Sequence, residues 1–273
     1  MKISILTMFP QLFESFTQGP VIKRAILKGS LELEIVDIKD FAPGSFRHID
    51  DSPFGGGAGM VMRCGPVLDA LKYVKEKARS AEGENPKETL SAESAVPKEA
   101  NDAESAGLKM RSVTAAMSPA GARFDQKRAH RYADLDHLIL ICGHYEGMDE
   151  RIYRHTDEEI SIGDYILTGG EIAAMAVTDA VTRLLPGAIR SESTSEESFE
   201  NGLLEYPQYT QPAVYEGEAV PEILLSGNHE KIRLWRLAES LRRTLERRPD
   251  LIEGRALTEE EAGILRDLRT GRK

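Results

Sequence analysis

The sequence is poor in cysteine: 273 residues contain two, Cys64 and Cys142, far apart and in no C-x-x-C pair. That excludes a disulfide framework and a cysteine-ligated structural zinc. No run of 18 apolar residues occurs, and no charged-then-apolar leader opens the chain. Neither a membrane span nor a secretory signal is therefore expected, and the chain reads as cytoplasmic. No Gly-Lys-Ser or Gly-Lys-Thr is present, which removes a P-loop. Basic residues do not predominate either, since 35 Lys and Arg face 45 Asp and Glu, for a net charge of -10. A body of that charge has no general attraction for a polyanion, so any nucleic-acid site must be a local basic patch.

What is present is enough chain for one good core and a smaller second one. Lys2 to Met8, Leu31 to Ile38, Arg111 to Met117 and His137 to Cys142 read as strands. Between them Pro20 to Lys28, Val67 to Lys77 and Asp125 to Ala133 read as helices. This alternation predicts an α/β fold with a parallel sheet. Glu171 to Leu184 is a further helix, stopped by Pro186. Ser191 to Asn201 is acidic and hydroxyl-rich and reads as a mobile linker. Beyond it, His229 to Glu246 and Thr258 to Arg269 form a helical module, the second helix opening with a Thr258-Glu-Glu-Glu261 capping box. From 79 to 109 the composition turns to Ala, Glu, Ser, Lys and Pro without apolar period, as expected of a surface insertion. The domain division that follows is 1–184, a linker at 185–202, and a helical domain at 203–273.

Two segments just outside apolar runs concentrate glycine among aromatic and acidic residues: Cys142-Gly-His-Tyr-Glu-Gly-Met-Asp-Glu-Arg151 and Ser161-Ile-Gly-Asp-Tyr-Ile-Leu-Thr-Gly-Gly-Glu171. Gly143, Gly147, Gly163, Gly169 and Gly170 permit positive φ and let main-chain groups approach a planar or zwitterionic ligand. The other glycine run, Gly55-Gly-Gly-Ala-Gly59, is no dinucleotide loop, because position 60 is Met and no strand precedes it.

Both signature segments resemble those of the bacterial tRNA (guanine-N1)-methyltransferase family of the SPOUT superfamily. The resemblance also covers Ile3-Ser-Ile-Leu-Thr-Met-Phe-Pro10, Val21-Ile-Lys-Arg-Ala25, Asp50-Asp-Ser-Pro-Phe-Gly-Gly-Gly-Ala-Gly-Met60 and Met117-Ser-Pro-Ala-Gly121. It runs on through Leu224-Leu-Ser-Gly-Asn-His229 and Trp235-Arg-Leu to Arg247-Arg-Pro249. It implies a parallel sheet with a deep trefoil knot, a small C-terminal helical domain, and a homodimer with shared active sites. The implied cofactor is S-adenosylmethionine, held by Ser118, Pro119, Gly143, Tyr145, Glu146, Ser161, Ile162, Gly163, Asp164, Tyr165, Ile166, Leu167, Gly169 and Gly170. The implied partner is tRNA, met by Asp50, Gly57, Gly59, Arg236 and Arg243, with no DNA or membrane partner. The implied product carries a methyl group on N1 of guanosine-37, just 3′ of the anticodon.

Methyl transfer from a sulfonium needs little covalent help, but guanine N1 carries a proton at neutral pH. A base must remove it while a cation steadies charge spreading toward O6. The resemblance places these roles at Glu197 and Arg183. Glu197 stands where the family has aspartate, the span from Pro186 to Ser198 is one residue shorter, and Glu196 competes for the role. Phe54 replaces a tyrosine, and Phe46 and His48 flank Arg47 where a His-Arg pair is usual. The helix from 229 carries more Arg and Lys than Glu and a leucine stripe at 234, 237, 241 and 245, so many of its arginines are expected to stay open to phosphate. A SPOUT enzyme acting on another RNA, or a cofactor-holding RNA-binding protein without turnover, would share most of these features. Whether Mg2+ takes part is not legible in the sequence, and no metal-ligand spacing is present.

Overall fold

A computed structural model describes residues 1–83, 110–189 and 196–270. Five strands form its one large sheet: β1 (Lys2–Thr7), β2 (Glu32–Asp37), β3 (Ser112–Arg123), β4 (His137–Ile141) and β5 (Glu158–Ser161). Their order is β2-β1-β4-β3-β5, and every neighbouring pair is parallel. Parallel strands need crossovers, supplied by α1 (Pro20–Leu27), α2 (Cys64–Gly83) and α3 (Gln126–Ala133); α4 (Glu171–Leu184) follows β5. α1 opens on Pro20, where the missing N–H is harmless. α3 is capped by the Asp125 carboxylate, which accepts from the Arg128 N–H at 2.8 Å.

Strand alternation divides the core in two. Leu138 and Leu140 join Ile3 and Ile5 against α1 and the Ala173, Ala174, Val177 and Val181 stripe of α4. Ile139 and Ile141 point the other way, with Leu6 and Val36, against Val67, Ala70, Leu71 and Val74 of α2. Both faces are covered, which is why β4 reads as continuous apolar sequence. Each large side chain buried there contributes roughly 1.5–3 kcal/mol.

The sequence places the end of β3 at Met117, but the strand continues to Arg123. Against β5 its register jumps: Met117 and Ala122 both pair with Ile160, so residues 118–121 bulge out of the ladder. Gly121 makes the return tight, since a Cβ there would overlap the Ile160 backbone. α2 runs on to Gly83, so the insertion expected from 79 begins as helix, and its remainder, 84–109, lies outside the described residues.

The chain divides into two compact units, Met1–Ile189 and Arg190–Lys273. The second is built on α5 (His229–Arg247) and α6 (Glu259–Thr270), with Leu203, Leu241, Ile252 and Leu265 as its core. The capping box is formed: Glu261 N–H donates to Thr258 Oγ1 at 3.2 Å, and Thr258 N–H to Glu261 Oε2 at 2.8 Å. The stretch expected to be a linker is packed at both described ends. Leu185 and Ala188 are buried in the first unit, and Ser30 Oγ donates to the Pro186 carbonyl at 2.6 Å. In the second unit Ser198 Oγ accepts from the Glu205 N–H at 2.9 Å, and Phe199 N–H donates to the Leu203 carbonyl at 2.8 Å. Residues 190–195 lie outside the described residues.

Gly121→Ala is expected to destabilise the protein by about 1–3 kcal/mol, the usual cost of forcing an atom into a filled space. Denaturant unfolding measures it; an unchanged midpoint would mean that the bulge adjusts freely.

Candidate active site

The bulge of β3 and the carboxyl ends of β4 and β5 open onto one cavity of about 320 Å³. Clefts beyond the carboxyl ends of parallel strands, where the strand order reverses direction, are the usual ligand sites of open α/β sheets. The β3 bulge contributes Ser118 and Pro119, the segment after β4 contributes Gly143 to Gly147, and the segment after β5 supplies Ser161 to Gly163 and Tyr165 to Gly170. Of the residues expected at a cofactor site, all line this cavity except Asp164, which is exposed and outside it. Met117, Ile160, Ile162, Ile166, Leu167 and Ala173 give it an apolar lining.

The glycines serve two different ends. Gly147 and Gly163 adopt φ of 128° and 150°, as the sequence suggests for all five. Gly143, Gly169 and Gly170 do not; the value of Gly169 and Gly170 is close approach, while a Cβ on Gly143 would meet only the Met148 side chain at ordinary contact distance. A Cβ on Gly170 would lie 2.9 Å from Cys142 Cα and 3.0 Å from Gly143 N and Met117 Cβ. One on Gly169 would overlap the His144 ring and the Glu171 carboxylate. Without those atoms, Gly170 N–H donates to the Gly143 carbonyl at 2.8 Å, and the segments after β4 and β5 are joined. Around Gly163, Ser161 Oγ accepts from the Gly163 N–H at 3.2 Å, and Tyr165 OH donates to the Ile162 carbonyl at 3.3 Å. That folds the segment back on itself and turns its main chain toward the cavity.

Glu171, the first residue of α4, is 3% exposed. A carboxylate so placed needs partners. Thr7 Oγ1 at the end of β1 donates to its Oε1 at 2.8 Å, the helix N-terminus favours its charge, and His144 Nδ1 lies 3.8 Å from Oε2. Burial, and then the Glu171 charge, push the Cys142 thiol well above its ordinary pKa, so it stays a protonated thiol. Sequence reading passed over Glu171 and His144, as well as the lining residues Tyr153 and Thr168. All but Tyr153 stand inside the signature segments, and that position is the only signal the sequence offers for them.

The glycine run at 55–59 belongs to an arm fastened to the cavity. Asp50–Asp51 pairs antiparallel with Val61–Met62. Met62 N–H donates to the Gly147 carbonyl at 3.0 Å, and Glu146 N–H to the Met60 carbonyl at 3.1 Å. Gly57 and Gly59 adopt φ of 137° and 80°, and a Cβ on Gly59 would enter the Glu146 side chain. Asp50 is near enough that, after burial, its charge helps to raise the Tyr145 hydroxyl above its usual pKa. Tyr145 itself holds a left-handed φ of 60°, a strain on the order of 1 kcal/mol kept by these bonds. Asp50, Gly57 and Gly59 are thus brought beside Tyr145 and Glu146. Phe54, at the tip, is fully exposed.

The catalytic candidates are not assembled in the same way. Arg183 lies in the last turn of α4, while the cavity is at the first; twelve residues of helix separate them by about 18 Å. A single chain does not bring Arg183 to its own cavity. Glu197 belongs to the second unit, half-buried, its carbonyl accepting from the Glu200 N–H at 3.3 Å. Its neighbour Glu196 accepts from the Tyr206 hydroxyl and lies 3.5 Å from Arg236.

The arginines of α5 are less open than expected. Arg233 is bound by Glu230 and Glu260, Arg242 by Glu239 and Glu246, and Arg248 by Asp250. Arg243 Nη1 donates to the Glu205 carbonyl at 3.2 Å. A charge count cannot see such pairing, which leaves exposed Lys231 and Arg247, and Arg243 on its carbonyl, as the cations of this helix with no ion pair among the described residues. Among the described residues no His, Cys, Asp or Glu cluster is arranged for a metal, and no helix is long and apolar enough to cross a membrane.

Comparison with known proteins completes the reading. Residues 1–254 match the family model for tRNA (guanine-1)-methyltransferase TrmD. A tRNA (guanine-N(1)-)-methyltransferase of Listeria welshimeri is 46% identical over 269 residues, 98% of both chains. That of Limosilactobacillus fermentum is 44% identical, covering 98% of this chain and 96% of its own, and that of Halalkalibacterium halodurans is 44% identical over 98% of each. With a family match over nearly the whole sequence and relatives of this identity, the chain belongs to the tRNA (guanine-1)-methyltransferase TrmD family.

Proposed function

We propose that this protein transfers a methyl group from S-adenosylmethionine to N1 of guanosine-37 in tRNA, as a cytoplasmic homodimer whose active sites are shared between subunits. The observation that carries the reading is the fusion of two glycine-built loops: the cavity segment 143–147 and the 50–62 arm bonded to it. One offers backbone and apolar surface to a cofactor, and the other stands at its side where a base would enter. A cavity of about 320 Å³ falls in the range of small-molecule sites. Its glycine backbone, apolar floor and Glu146 carboxylate suit a ligand with a flat heterocycle and positive charges.

The bound cofactor would supply an activated methyl group. Ser118, Gly143, Tyr145, Glu146 and the cavity-lining residues of the 161–170 segment would hold and orient it on loops already joined to each other. Asp50, Gly57 and Gly59 would border the entering guanine. Glu197 would take the N1 proton, and Arg183, from the other subunit, would oppose charge developing toward O6. The distance of Arg183 from its own cavity supports sharing between two chains. The deep trefoil knot of the SPOUT fold belongs to this proposal too, as does the division into a methyltransferase domain at 1–184, a connecting segment at 185–202 and a tRNA-binding domain at 203–273. Mg2+ is given no step. Incubation with labelled S-adenosylmethionine and tRNA transcripts bearing guanosine or adenosine at position 37, followed by mapping of the label, tests the reaction. Label elsewhere than N1 of guanosine-37 would overturn it.

Gly163→Val is expected to abolish cofactor binding with the fold intact, because the φ of 150° is unsuited to a branched residue and a Cβ there would collide with the Tyr165 ring. Calorimetric titration checks it; wild-type affinity would remove the cofactor from this segment.

Glu197→Gln is expected to lower turnover by about 10² or more, with tRNA and cofactor affinity retained. Glu196→Gln should be mild, since an amide can still accept from Tyr206. The reverse ranking in single-turnover assays would move the base to Glu196.

If sites are shared, mixing the inactive Gly163→Val and Arg183→Ala proteins should restore about a quarter of wild-type activity. Half of randomly exchanged dimers then contain one intact cavity facing one intact arginine. No recovery after demonstrated subunit exchange would place both groups in one chain.

A further inference from the structure

The second unit contains a cleft of its own, about 410 Å³, that the scheme above does not use. Its walls are Tyr206, Tyr209, Trp235 and Arg236, with Leu224 and Ile232 among its apolar residues. The Tyr209 and Trp235 rings have centroids 6.4 Å apart and planes 50° to each other. Across from them the Arg236 guanidinium lies 4.7 Å over the Tyr206 ring. Glu196 fixes that second wall, accepting from Tyr206 OH and standing 3.5 Å from Arg236 Nη1. Arg236 Nε is buried without a hydrogen-bond partner.

The chemistry of these walls selects among ligands. A phosphate would meet Arg236 already offset by Glu196, so the cleft is no anion site. A purely apolar side chain would make no use of the guanidinium plane or of Gln208 and Gln211, which also line the cleft, the Gln208 amide already donating to Glu205 at 2.6 Å. A flat, neutral heterocycle with polar edges uses all three: aromatic faces, the arginine plane and the amides. We propose that this cleft receives one unpaired nucleobase of the tRNA, a second base subsite lined by none of the residues of the methyl-transfer cavity. The proposal rests on tRNA being the substrate.

Trp235 is the single tryptophan of the chain, so its fluorescence reports on this cleft alone. The full-length protein is titrated with a tRNA transcript, with a fully paired RNA duplex and with inorganic phosphate. Emission should be quenched by tRNA, by stacking, and left unchanged by duplex at saturation and by phosphate. In parallel, Tyr209→Leu, at a ring 49% exposed and so tolerant of change, should weaken tRNA binding about tenfold or more and leave S-adenosylmethionine affinity alone. Saturating tRNA without quenching, equal quenching by duplex or phosphate, or wild-type affinity in Tyr209→Leu would each overturn the subsite. If methyl transfer to tRNA proceeds in that case, only the subsite falls. If the protein neither binds nor methylates tRNA, the functional reading falls with it.

Discussion

The site depends on one close approach: Gly170 against Cys142, Gly143 and Met117. No side chain fits there, and without one the Gly170 N–H reaches the Gly143 carbonyl at 2.8 Å. That bond ties the end of β4 to the start of α4, and the rest follows from it. Glu171, next in the chain, is carried under the sheet edge, where the Thr7 hydroxyl and the helix N-terminus satisfy it. His144 is held between Phe9, 4.9 Å away edge to face, and that carboxylate. Three strand ends are thereby fixed relative to one another before any ligand arrives. Preorganisation of this kind lowers the ordering cost of binding.

Much of the first unit was legible because local pattern and burial agree. The α4 limits follow from apolar spacing stopped by Pro186, and β4 from a run apolar on both faces. The Thr258 and Glu261 box was readable because both bonds join residues three apart. What escaped is long-range. The bulge at 118–121 arises from a register against β5, some forty residues on, and nothing near Gly121 announces it. Glycine as a letter does not separate Gly163, needed for its φ, from Gly170, needed for its missing Cβ. Asp164 sits amid cavity residues and still faces outward, because one turn of loop reverses direction in a single residue. The arginines of α5 were counted as available, yet Glu230, Glu239, Glu246 and Glu260 bind two of them.

That pairing bears on how an acidic protein would hold RNA. Exposed ion pairs add little to stability, roughly 0.2–1 kcal/mol each, so their larger effect here is to withhold arginines from phosphate. Counterion release scales with the number of phosphates neutralised, and the pairing of Arg233 and Arg242 lowers what α5 can add to it. In the proposed complex stacking would then carry more of the affinity, and unstacked loop bases offer it where a paired duplex does not. In the proposed function the two units would divide the work accordingly. The first presents a backbone cradle closed to an added atom at Gly163, Gly169 and Gly170, suited to one small ligand, and the second presents aromatic and guanidinium planes suited to bases of varied identity. In the proposed complex a net charge of -10 would be a filter rather than an obstacle, suppressing binding driven by phosphate alone and leaving stacking contacts to distinguish a loop from a helix.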